Sequence, residues 1–200
     1  MQRFVYNEDH NAFRSMIRDF IAKEVVPNYS DWESKGVVDK AMYRRLGDLG
    51  VLGLMVPEEY GGSGQDSFKY NAILAEESQR AVVAGAFGAI RVHMEIVIPY
   101  FLAYGTAEQK ERFVPGMVAG TSIASIAMTE PGGGSDLAGI STRAVLDGDH
   151  YVVNGAKTFI TGGVNADVVL TVTRTSKPDG EDRRGGLTLL AVPTDTPGFH

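Results

Sequence analysis

The spacing of apolar residues changes near Gly120, and no other feature constrains the fold as tightly. Before that point apolar residues recur at the period of a helix face, as in Phe13, Met16, Ile17, Phe20 and Ile21. After it the apolar runs are short, β-branched and separated by turn pairs. The pattern predicts an α+β chain. An all-helical N-terminal domain over residues 1–120 leads into a middle antiparallel β-barrel or sandwich over residues 121–200.

Local signals place the helices. Asn7 is suited to cap the first, with Glu8 and Asp9 in its first turn, where the helix dipole favours acids. Asp39 is expected to cap a second helix carrying Met42, Leu46 and Leu49, with Gly50 at its end. A third runs from Asp66 or Ser67 to Arg80. A fourth gathers Phe87, Ile90, Met94, Val97, Ile98 and Phe101 on one broad apolar side, and Pro99 is expected to kink or split it. Thr106 and Gln109 make a capping box for a fifth, closing near Gly116 or Gly120. The stretch from Pro57 to Gly64 reads as a glycine-rich surface loop, with Glu58 and Glu59 as solvated charges.

In the second half, Ser122–Thr129, Thr142–Leu146, Tyr151–Val153, Lys157–Thr161, Val168–Thr173 and Leu187–Val192 read as strands. Asp147-Gly148 and Asn154-Gly155 are hairpin turn pairs, and Ser176–Gly186 is a polar loop. A last strand is expected to begin at Phe199, which would leave the sheet with an open edge and the β domain incomplete.

Composition narrows the chemistry. The net charge is −6 with 19 basic and 25 acidic residues, which argues against nucleic acid and anionic membrane surfaces as partners. There are 0 cysteines, so disulfides, thiolate metal sites and cysteine nucleophiles are excluded. The four histidines are too scattered for a metal cluster. Arg91, His93, Glu95 and Pro99 interrupt the most apolar stretch, 81–104, so it reads as a buried helix and no membrane span is expected. A soluble, cytoplasmic protein is the expectation. Phosphate-loop, dinucleotide-fingerprint, nucleophile-elbow and zinc-protease patterns are all missing.

Two segments carry candidate chemistry. In Ala127–Gly139, three consecutive glycines follow a strand, with Thr129 and Ser135 adding hydroxyls. Such a run lets backbone approach a ligand and aim N–H groups at an anion; a wide hairpin loop is the competing reading. In Lys157–Gly163, Phe159 and Thr161 would share one strand face, a ring to stack on a flat heteroaromatic cofactor and a hydroxyl to reach its edge. The competing reading makes Phe159 a core residue and Thr161 a strand end.

The 127–139 segment, Ala-Met-Thr-Glu-Pro-Gly-Gly-Gly-Ser-Asp-Leu-Ala-Gly, resembles the signature of the acyl-CoA dehydrogenase family at every position. Leu54–Gly62, Tyr104–Phe113 and Asn154–Thr161 agree in the same order, so the resemblance covers nearly the whole chain. The wording around Ile126–Glu130 and Ser135–Leu137 is most similar to the long-chain branch.

The resemblance implies a flavoprotein of fatty-acid β-oxidation that holds FAD and desaturates acyl-CoA thioesters to trans-2-enoyl-CoA. It implies an electron-transfer flavoprotein as electron acceptor and a homo-oligomer, dimer or tetramer. Ile126, Ala127, Met128 and Thr129 would line the pyrimidine end of the flavin, and Thr129 would bond a polar edge atom. Phe159, Ile160 and Thr161 would form the second cofactor segment. Phe159 stands where the family commonly has a tryptophan, and Thr161 would donate to flavin N5. Gly134 and Ser135 would contact the pyrophosphate, Ser135 meeting the pantetheine arm of the acyl-CoA as well. Met94, Ile98 and Phe101 serve equally as acyl-tunnel lining or as core. The family's catalytic Glu lies in a C-terminal helical domain, so no base is expected in these residues; Glu130 belongs to the loop pattern. The chain is therefore expected to be part of a longer polypeptide. A non-catalytic flavin- or acyl-CoA-binding module is the rival reading, and acyl-CoA oxidases and flavin monooxygenases of similar fold are alternatives within the enzyme class.

Overall fold

The computed structural model describes residues 5–177, 183 and 185–200. They separate into two compact units, one up to Ser122 and one from Ile123 on.

The first unit is helical: α1 (Glu8–Phe20), α2 (Val26–Lys35), α3 (Lys40–Asp48), α4 (Lys69–Arg80), α5 (Ala84–Arg91), α6 (Ile98–Tyr104) and α7 (Ala107–Val118). Asn7 caps α1 and Thr106 caps α7, each in a full capping box, with His10 and Gln109 closing the second bond. Asp39 precedes α3 but its side chain makes no cap bond. Ile17, Leu46, Ile73, Leu74, Phe87 and Ile90 are among the fully buried core residues. Arg14 and Arg18 of α1 both bond Glu77 of α4, at 2.6 and 2.9 Å, which ties the two helices across a buried carboxylate.

Pro99 does not split its helix. Val92–Val97 form a π-helical turn instead, and the Ile98 N–H donates to the His93 carbonyl, five residues back. The same device precedes Pro27: Ile21–Val25 are π-helical and the Val26 N–H donates to Ile21. A proline ring collides with the carbonyl four residues earlier in an α-helix. The wider turn relieves that collision in both places. The run 84–104 is long and apolar enough to cross a membrane by those measures alone. Its Phe87, Ile90, Met94, Val97, Ile98 and Phe101 are nevertheless buried inside the helical unit, as a core helix requires.

Among the described residues the second unit holds five strands, β1 (Ala124–Ala127), β2 (Arg143–Asp147), β3 (His150–Asn154), β4 (Val168–Arg174) and β5 (Leu187–Pro193), in one sheet. The sheet is mixed, which corrects the antiparallel expectation. β5 lines one edge of β4 antiparallel over Val168–Arg174. β1 lies parallel to β4 from Ala124↔Val168 to Ala127↔Thr171, and β2 joins it parallel at Arg143↔Arg174. Because β5 occupies one edge throughout, β1 and β2 share the other, one after the other. Residues 128–142 are thus an excursion that leaves and rejoins a single edge. Antiparallel pairing is confined to β2–β3 and β4–β5.

Three further expectations change. The β2–β3 turn centres on Gly148-Asp149, one residue later than expected, with φ +63° at Gly148 supplying the left-handed step. No strand forms over Lys157–Thr161 or from Phe199; the latter lies in a turn in which its N–H bonds Thr196. Of the expected Ser176–Gly186 loop, residues 178–182 and 184 lie outside the described residues.

Candidate functional site

Both candidate segments lie in the second unit, and side chains between them set their spacing. Lys157 Nζ donates to the Met128 carbonyl at 3.1 Å and to Glu130 Oε1 at 3.0 Å. The Thr158 N–H donates to the Thr129 carbonyl at 2.9 Å. The Ser125 hydroxyl donates to the Thr161 carbonyl at 3.0 Å. Residues 125–130 and 157–161 therefore run side by side. Neighbouring Gly155 permits this: a Cβ there would fall 2.4 Å from Thr142 Oγ1.

Glu130 closes the foot of the glycine loop. Its Oε2 accepts from the Ser141 N–H (2.7 Å) and hydroxyl (2.6 Å). Its Oε1 accepts from the Thr142 N–H (2.8 Å) and hydroxyl (2.5 Å). Burial opposes the charge, but the bonds from Ser141 and Thr142 outweigh it and hold this carboxyl well below the usual carboxylate range. At the far end, Arg174 donates to the carbonyls of Ala138 (2.9 Å) and Ile140 (3.3 Å) and, across the opening, of Gly185 (2.8 Å). The loop is pinned at both feet.

Its middle is open. Residues 131–137 are all exposed. Glu130 and Gly133 exchange two backbone bonds at 3.0 Å, so the Gly133 N–H is spent on the turn rather than on a common anion site. A Cβ at Gly132 or Gly133 would meet nothing within 4 Å, and at Gly134 only Thr129 Cγ2 at 3.6 Å. None of these three glycines has a positive φ. Neither backbone conformation nor packing among the described residues calls for glycine at these three positions.

The second segment differs from the strand expected. Phe159 has φ +56°, the left-handed region, and is 91% exposed. The inversion aims Ile160 the other way, against Ala127, Ala166 and Val169 in the core. Thr161 is exposed, and Gly162 at φ +77° turns the chain into a short 3₁₀ helix, Gly163–Asn165. Phe159 is therefore not a core residue. On the first segment Ile126 and Thr129 are half-buried, Ala127 is buried and Met128 is exposed; Ser135 is exposed in the loop. Among the described residues no protein partner meets the hydroxyls of Thr129, Ser135 or Thr161. Ala127 and Ile160 face the core, leaving only their backbone for a ligand.

The chain's own residues account for the feet and leave an exposed ring, three hydroxyls and an open glycine loop unexplained. Family models supply the context: the acyl-CoA dehydrogenase N-terminal domain matches residues 7–121 and the acyl-CoA dehydrogenase middle domain matches residues 125–200. The chain belongs to the acyl-CoA dehydrogenase family. It is 38% identical over 197 residues to the mitochondrial long-chain specific acyl-CoA dehydrogenase of Mus musculus, covering 98% of this chain and 45% of that protein. An acyl-CoA dehydrogenase structure from Geobacillus kaustophilus superposes with a TM-score of 0.90 at 43% identity, covering 98% of this chain and 51% of that one. A Mycobacterium smegmatis glutaryl-CoA dehydrogenase in complex with FADH2 superposes with a TM-score of 0.84 at 31% identity, over 98% of this chain and 48% of that one. The chain spans about half the length of the relatives it matches.

Sequence reasoning missed the residues that build the frame. Lys157, Ser125, Ser141, Thr142 and Arg174 had no assigned role. The pairing of a buried acid with two adjacent hydroxyl residues at the loop's end, Ser141-Thr142, was the available signal.

Proposed function

We propose that the full-length protein is an FAD-dependent acyl-CoA dehydrogenase that converts acyl-CoA thioesters to trans-2-enoyl-CoA. One observation carries the reading. The two segments are fastened side by side, yet among the described residues the Phe159 ring and the hydroxyls of Thr129 and Thr161 have no protein partner.

These residues fit FAD. Phe159 offers a bare face for a heteroaromatic ring, worth about 0.5–1.5 kcal/mol beyond its area. Thr129 and Thr161 offer hydroxyls that reach polar ring-edge atoms, with Thr161 assigned to N5. Backbone of Ile126, Ala127, Met128 and Ile160 completes the platform. Gly134 and Ser135 receive the pyrophosphate and pantetheine side, where the open glycine loop admits close approach. Bound FAD would supply the acceptor for the hydride leaving the acyl β-carbon.

The α-proton needs a separate base. Glu130 is unsuited: its two oxygens already accept five hydrogen bonds, and those bonds favour the charged form over a protonated one. We assign the base to residues outside this chain, electron removal to an electron-transfer flavoprotein, and the assembled state to a homo-oligomer. The test is the full-length protein. It should be yellow, and acyl-CoAs of graded chain length should bleach it and sustain turnover with an artificial acceptor. Absence of flavin absorbance after reconstitution with FAD would overturn the reading.

A further inference from the structure

Lys157 is unusual among the site residues because the hydrogen-bond accounting does not need it. A carboxylate has about four lone-pair sites. Those of Glu130 are filled by the N–H and hydroxyl groups of Ser141 and Thr142 alone. Lys157 adds a fifth bond, and its side chain is only 10% exposed. Withdrawing an ammonium from water is costly, and a neutral side chain of similar length would avoid that cost. What Lys157 adds is charge. Among the described residues it is the one cation within bonding distance of Glu130, and its second bond goes to the Met128 carbonyl, next to Thr129. Without it a buried anion would sit, uncompensated, beside the segment that faces the cofactor.

Resting on the reading of residues 126–129 as the flavin's pyrimidine edge, we infer that Lys157 is a positioning residue that sets the redox poise of the bound flavin. It neutralises Glu130 and polarises the Met128 carbonyl, so reduced flavin gains no repulsion from the loop's anchor. Two of its three N–H groups are used by Met128 and Glu130, and the third has no protein partner among the described residues. The Lys157–Glu130 pair itself is largely buried, and removing a charge there acts on the extra negative charge of reduced flavin more strongly than removing one from an exposed position.

The experiment measures the midpoint potential of FAD bound to the full-length protein by dye equilibration. Four proteins are compared: the parent, Lys157→Met, Lys157→Arg and the double variant Lys157→Met with Glu130→Gln. At fixed ambient potential, Lys157→Met should lower the ratio of reduced to oxidised flavin at least tenfold, about 30 mV for a two-electron couple. Lys157→Arg should stay within about threefold of the parent, and the double variant should recover most of the loss because the buried pair is then neutral. Lys157→Gln serves as a second neutral variant should the methionine protein fail to fold, with the same expected shift. A merely structural role predicts instead that the double variant is at least as impaired as the single. A neutral variant at the parent's potential, or an arginine variant shifted as far as the neutral one, would overturn the inference. A parent protein that binds no FAD would overturn the underlying reading, and this inference with it.

Discussion

Glu130 and Phe159 stand in the two segments that Lys157 joins, and the chain treats them in opposite ways. Glu130 is 7% exposed, a charged group fully furnished with partners from its own unit. Phe159 is 91% exposed, a large apolar ring in a backbone conformation that side chains rarely adopt. Burying a charge is tolerable only when the fold supplies its partners. Exposing a strained aromatic stabilises nothing in the fold itself, and strain of this kind clusters at functional sites. The contrast separates what the chain holds for its own stability from what it holds ready for a ligand.

The largest effect expected is on the Glu130 side. Glu130→Ala leaves four buried donors and one ammonium without their acceptor, and should cost about 3–5 kcal/mol. Denaturant unfolding followed by far-UV circular dichroism measures it; a loss under about 1 kcal/mol would break the comparison. Thr161→Val belongs to the other side. It should slow flavin reduction by an amount equivalent to about 1–3 kcal/mol while weakening FAD binding less. Single-turnover mixing reads the first and equilibrium titration the second, and equal reduction rates would count against the assignment.

Acid sharpens the Glu130 side. Its folded-state value lies below the unfolded one of about 4.3, so its contribution is complete above roughly pH 5 and fades as pH falls through that range. Melting temperature should therefore drop more steeply between about pH 5 and 3 in the parent than in Glu130→Gln. Parallel curves would contradict the charged anchor. The smallest effect is Phe159→Gly. Relief of the left-handed strain offsets the extra freedom of glycine in the unfolded chain, so unfolding free energy should change by less than about 1 kcal/mol. FAD affinity should fall in the same variant, and a variant that melts far below the parent would place Phe159 in the core after all.

The same division explains what the sequence reveals. Helix faces, the caps at Asn7 and Thr106 and the β2–β3 hairpin follow from local periods and pairs, so they can be read directly. The sheet's direction of pairing cannot, because β1 and β4 are joined through residues 128–167 and their parallel register depends on contacts that no local signal encodes. Residues 157–161 look like a strand by composition, but Lys157 and Thr158 are drawn to residues 128–130 instead of to a sheet edge. Phe159 and Thr161 were legible as candidates because ring and hydroxyl have few other uses side by side. The anchors were not, since Glu130, Lys157 and Arg174 are separated in sequence and meet only in the fold.

The central claim is that the exposed ring at 159 is covered by the flavin. Phe159→Trp tests it directly, since the chain described here has a single other tryptophan, Trp32. In full-length protein, stoichiometric FAD should quench the added indole fluorescence almost completely, measured as the difference from the parent under the same titration. Flavin that binds at full stoichiometry while that emission is left unchanged would contradict the account.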